Sequence, residues 1–93
     1  MNSIKWNVSF SDEADKYLLK LDKPIRERIR NFARELKELQ NPRLRGEPLT
    51  ANLAHLWKYR VGDYRLICRI QDKELLILIV KIGHRSNVYK MKG

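Results

Sequence analysis

The N-terminal stretch IKWNVSF alternates Ile4, Trp6, Val8 and Phe10 with Lys5, Asn7 and Ser9, the period of a strand with one buried face. Ser11 then precedes DEADKYLLKL. Its hydroxyl can accept from the orphan amides of a helix, Asp12 and Glu13 suit the positive end of the dipole, and Tyr17, Leu18 and Leu21 form an apolar stripe. This predicts a short helix. Asp22 and Pro24 open a longer one, in which Ile25, Ile29, Phe32, Leu36 and Leu39 recur at helical spacing until Asn41-Pro42 ends it. The apolar pattern does not persist for three heptads, which argues against a free-standing coiled coil.

NPRLRGEPLTANL, with Pro42, Gly46 and Pro48, reads as one extended connection. Three β-branched or aromatic runs follow, HLWKYRV, YRLICRI and ELLILIVKI. They are separated by Gly62-Asp63 and by Gln71-Asp72-Lys73, both hairpin connections. The expected fold is α+β, a single domain over residues 1–93 in the order β-α-α-β-β-β. Two N-terminal helices pack on one face of a mainly antiparallel four-stranded sheet.

A two-residue turn at Gly62-Asp63 sets Val61 opposite Tyr64, Arg60 opposite Arg65, Tyr59 opposite Leu66, Lys58 opposite Ile67 and Trp57 opposite Cys68. Opposed residues share a face. One face then carries Trp57, Tyr59, Val61, Tyr64, Leu66 and Cys68, and only this one is expected to be buried under the helices. The other carries Lys58, Arg60, Arg65, Ile67 and Arg69. Opposing two arginines destabilises a sheet by some tenths of a kcal/mol, an arrangement that serves an anion site better than a fold. A three-residue connection at Gln71–Lys73 sends Leu76, Leu78, Val80 and Ile82 to the core and Lys81 to the basic face. Gly83 ends that strand, and His84 and Arg85 are expected to emerge beside Arg60 and Arg65.

Composition sharpens this picture. The 93 residues hold 20 Lys and Arg against 11 Asp and Glu, a formal charge of +9 that points to a polyanionic partner. A chain of this length buries only roughly 60–65% of its unfolded surface. MNSIKWNVSF lacks the apolar stretch of a secretory signal, and no run is long enough to span a membrane, so a cytoplasmic protein without a membrane partner is expected. Cys68 is the only cysteine, which rules out an internal disulfide and reads as a small core residue. No cluster of His, Cys or carboxylates has metal-ligand spacing, and no metal or other cofactor is expected.

The element order, together with LRGEPL, WKYRVGDYRLICRI and IGHRSNVY, resembles the RelE/ParE superfamily of bacterial toxins over nearly the whole chain. The resemblance implies the toxin of a type II toxin–antitoxin system. RelE-like members are ribosome-dependent mRNA interferases held in check by a cognate antitoxin, so the implied partners are that antitoxin, the ribosome and mRNA. It further implies that Lys58 and Arg60 are the two basic positions before the hairpin and Arg65 the arginine after the hairpin tyrosine. Arg85 corresponds to the arginine beyond the last strand and Tyr89 to the C-terminal tyrosine. RelE has a lysine where this chain has His84, and a longer spacing to the tyrosine. In the related toxin YoeB a glutamate, an arginine and a histidine form a more conventional ribonuclease site, which Glu47, Arg65 and His84 resemble.

Metal-independent RNA cleavage needs a base for the 2′-hydroxyl, an acid for the departing 5′-oxygen and cations for the charge on the phosphorane. Arg60 and Arg65, assisted by Arg85, would hold the phosphate; His84 would be the acid, and Glu47 or Lys58 the base. Tyr89 would stack on an unstacked base or supply a hydroxyl. Two other classes compete. A ParE-like poison of DNA gyrase shares the fold and commonly lacks this acid/base set, whereas a non-catalytic RNA- or ribosome-binding module needs only the charge.

Overall fold

The computed structural model describes residues 5–53 and 55–85. The elements are β1 (Asn7–Phe10), α1 (Asp12–Leu19), α2 (Lys23–Lys37), β2 (Glu47–Pro48), β3 (Trp57–Val61), β4 (Tyr64–Gln71) and β5 (Leu76–His84). The sheet order is β1-β5-β4-β3-β2, with β1 parallel to β5 and the other pairs antiparallel. The sheet thus has five strands, not the expected four. The additional one, β2, is two residues of the extended connection paired to Lys58 and Trp57, too short and too proline-rich to show a strand period. Among the described residues no helix is long and apolar enough to cross a membrane.

Both helices cover one sheet face. Leu18 of α1 and Ile29, Phe32 and Leu36 of α2 form the core with Tyr59, Leu66, Cys68, Ile77, Ile79 and Ile82. Tyr59 meets Phe32 edge-on, and its buried hydroxyl donates to the Pro42 carbonyl at 2.7 Å. Burial pushes the Cys68 thiol well above its ordinary pKa, consistent with a core side chain and not a nucleophile.

The opposite face is not wholly open. Leu49, Leu53 and Leu56, from the connection before β3, lie across it together with Val80 and enclose Ile67, with the Leu49 amide donating to the Leu56 carbonyl at 3.1 Å. The expectation that only the helix face is buried therefore fails at Ile67, and also at Lys58 and Arg65, which are 8% and 9% exposed.

Strand β5 corrects a second expectation. Gln71 pairs with Leu76, so the turn spans four residues, with Leu75 in a left-handed conformation at φ 52°. Ile77 and Ile79, not Leu76, Leu78 and Val80, enter the core. A bulge then intervenes: Ile67 pairs with Lys81 and Cys68 with Ile79, which leaves Val80 as the extra residue. Beyond it the expected phase returns, with Ile82 in the core and Lys81 on the basic face, where it reaches Glu13 at 3.0 Å.

Ser11 clamps this bulge. Its amide donates to the Ile79 carbonyl at 2.8 Å, its hydroxyl donates to the Val80 carbonyl at 2.9 Å, and the same oxygen accepts from the Ala14 amide at 3.1 Å. Ser11→Ala is expected to lower stability by about 2 kcal/mol, from loss of a helix cap and of a donor to a bulge carbonyl. Urea unfolding measures this, and an unchanged midpoint would show that the clamp is inert.

Candidate phosphate-binding site

The basic face is built at β2, β3 and the start of β4. Gly46, at φ 77°, turns the chain so that β2 lies flush on β3; a Cβ there would stand 2.4 Å from the Lys58 carbonyl oxygen. The Trp57 indole N–H donates to the Arg45 carbonyl at 2.6 Å and fixes the same turn. Glu47 therefore sits opposite Lys58, and the two form an ion pair at 3.1 Å.

The Gly62-Asp63 turn has Gly62 at φ 59°, the glycine-first geometry of a type II′ hairpin, and sets Arg60 opposite Arg65 as the spacing predicts. Arg60 is exposed. Arg65 is buried, its Nη1 donating to the Gly62 and Tyr64 carbonyls at 3.3 and 3.2 Å, while its Nε is buried with no hydrogen-bond partner among the described residues. Gly83 stands opposite Arg65 on β5 and adds no side chain to that face. An open cleft of about 320 Å³ is lined by Glu47, Lys58 and Arg60 together with Phe32, Arg45, Gly46 and Tyr59.

Glu47, Lys58, Arg60 and Arg65 are thus brought together. The Lys58 ammonium holds the Glu47 carboxyl below its ordinary range, with smaller pulls from Arg60 and Arg65. His84 is not placed as expected. It pairs with Tyr64, and its ring lies 5.5 Å from the Tyr64 ring in a perpendicular contact, so it shares the helix-side face of Tyr64 and not the face of Arg65. The strand runs on through His84 instead of ending at Gly83, and alternation from Ile82 carries it to that side. Arg85 is tied to the hairpin tip, its amide donating to the Asp63 carbonyl at 2.7 Å. Tyr89 lies outside the described residues. Sequence reasoning overlooked the roles of Gly46 and Arg45; the glycine between two prolines was the available signal.

The lowered Glu47 pKa gives a signed prediction. A carboxylate whose folded pKa lies below its unfolded value stabilises the fold above the unfolded pKa, and that contribution is lost as pH falls through the folded value. The gap in melting temperature between the wild type and Glu47→Gln should be constant from about pH 7 to about pH 5 and close in stronger acid. A gap that persists unchanged in strong acid would show that another group titrates.

Two helices are thus laid on one face of this sheet, with cations gathered on the other. A family model described as the ParE toxin of type II toxin–antitoxin systems, parDE, matches residues 8–89. Toxin RelG of Mycobacterium tuberculosis is 34% identical over 86 residues, spanning 91% of this chain and 97% of RelG. Among solved structures, the toxin–antitoxin complex RelBE2 from Mycobacterium tuberculosis matches with a TM-score of 0.80 and 31% identity, over 92% of this chain and 98% of that one. The archaeal RelE–RelB complex from Pyrococcus horikoshii OT3 matches with a TM-score of 0.71 and 27% identity, over 90% of this chain and 99% of that one. The chain belongs to the ParE toxin family and is a RelE-like toxin of a type II toxin–antitoxin system.

Proposed function

We propose that this toxin is a metal-independent endoribonuclease that cuts mRNA on the ribosome and is neutralised by a cognate antitoxin. The observation that carries the reading is Arg65: a buried guanidinium with an unpartnered Nε, opposite Arg60 and within electrostatic reach of Glu47. Two cations opposed on one face raise a positive potential that a phosphate answers. In the reaction the 2′-oxygen bonds to phosphorus as the bond to the 5′-oxygen breaks, leaving a 2′,3′-cyclic phosphate and a 5′-hydroxyl. Arg60 and Arg65 hold the non-bridging oxygens and the charge that develops on them.

Glu47 and Lys58 are the proton-transfer pair that the geometry favours, because both are titratable and both stand on the face of Arg65. Glu47, held ionised at neutral pH, takes the 2′-hydroxyl proton, and the Lys58 ammonium gives one to the departing oxygen. His84, on the face of Tyr64, steadies the end of β5. The antitoxin reading draws on the structural relatives, which are toxin–antitoxin complexes.

The test is mRNA cleavage by purified toxin with and without translating ribosomes. Cleavage is expected only with ribosomes, and equal cleavage of naked RNA would overturn the ribosome requirement. The family model's ParE description favours a second reading, poisoning of DNA gyrase. Accumulation of gyrase–DNA cleavage complexes with mRNA left intact would establish it instead.

A further inference from the structure

A second cleft, of about 490 Å³, opens on the helix side of β3 and shares Phe32, Arg45 and Arg60 with the first. Its other walls include Arg28 of α2 and Gly62 of the hairpin turn. The carboxylates that border it are already engaged: Glu27 with Arg30 at 3.4 Å, and Glu35 with Arg45 at 3.2 Å. Arg45 is held in place further by Phe32, its guanidinium carbon 4.7 Å from the ring centroid. Arg28 and Arg60, both exposed, face the same space with no carboxylate within ion-pair distance among the described residues. The volume is that of a small-ligand pocket, large enough for a nucleotide.

We infer that the cleft between α2 and the β3–β4 turn, flanked by Arg28 and Arg60, binds a second phosphate of single-stranded RNA. Arg60 then bridges two consecutive sites, one facing Glu47 and Lys58 and one facing Arg28. The RNA backbone leaves the cutting site over the Arg45–Phe32 wall and runs along α2. This rests on the ribonuclease reading for the identity of the anion. Two facing guanidiniums repel each other unless an anion lies between them, and a phosphate accepts from both in fork geometry.

The test is fluorescence anisotropy with a short single-stranded RNA, fully 2′-O-methylated so that it cannot be cut, across a salt series. Arg28→Ala should weaken binding about tenfold at about 0.1 M salt, the order expected for one charged hydrogen bond. It should also reduce the slope of log affinity against log salt by about 0.7, the value for one single-strand phosphate. Arg28→Lys should retain the slope. Lys20→Ala, which removes an exposed cation outside the cleft, should change neither quantity. If the wild type does not bind this RNA, or if Arg28→Ala and Lys20→Ala behave alike, the subsite is refuted. It is equally refuted if Arg28→Ala weakens only the antitoxin complex. Because no cleavage is read, a catalytically silent toxin that shows the Arg28 effect would overturn the nuclease reading and leave the subsite standing.

Discussion

Arg65→Ala is expected to abolish ribosome-dependent cleavage and growth arrest while leaving the melting temperature close to that of the wild type. On the activity side, the substitution removes the buried half of the arginine pair that stabilises phosphorane charge. Losing a preorganised donor of that kind costs about 3 kcal/mol, a rate loss of roughly two orders of magnitude. On the stability side, opposed effects cancel. The variant gives up two long hydrogen bonds to the Gly62 and Tyr64 carbonyls, together worth about 1–2 kcal/mol. It also removes a buried cation with an unsatisfied Nε and the repulsion with Arg60, a relief of similar size. Arg65→Lys keeps the charge but loses the planar fork, and should recover only part of the activity. Melting curves and cleavage assays on the same preparations decide the matter; a large fall in melting temperature with toxicity retained would make Arg65 a structural residue.

Why the Arg60–Arg65 pair was legible while the end of β5 was not comes down to how each register is set. A two-residue turn fixes its hairpin without reference to side chains, so Gly62-Asp63 was enough to place five residue pairs. In LLILIV no polar residue marks the solvent face, so periodicity could not locate the bulge at Val80, and a slip of one residue exchanges the faces. That slip moved Leu76 and Leu78 out of the expected core; His84 was misplaced for a different reason, because the strand runs on through it instead of ending at Gly83 and so carries it to the side of Tyr64. Glu47 could be picked out, but its partner could not, because a strand of two residues has no period to read. The burial of Ile67 was hidden for a related reason. Three of the apolar residues that cover it, Leu49, Leu53 and Leu56, come from an irregular segment with a helical turn at Ala51–Leu53. A partly covered face was thus read as an open one.

Gly46→Ala is expected to be the most destabilising single-methyl change at the site. Two penalties combine. A left-handed φ of 77° costs an L-residue on the order of 1 kcal/mol. The added Cβ would also stand 2.4 Å from the Lys58 carbonyl oxygen, 2.7 Å from the Trp57 indole nitrogen and 2.8 Å from a Tyr59 ring carbon. The first of these is backbone and cannot swing aside, so relief requires lifting β2 off β3, at a further cost of about 1–3 kcal/mol. Against a total stability of roughly 5–15 kcal/mol, a combined loss of about 2–4 kcal/mol lowers the melting temperature by about 10 °C or more. Because β2 carries Glu47, the displacement also breaks the ion pair with Lys58, so activity should fall further than the unfolded fraction alone explains. Glu47→Gln, which leaves the turn intact, separates the two effects: it should impair cleavage with a smaller change in melting temperature. If Gly46→Ala melted with the wild type and cleaved RNA at the wild-type rate, the close approach of β2 to β3 would have no part in building the site.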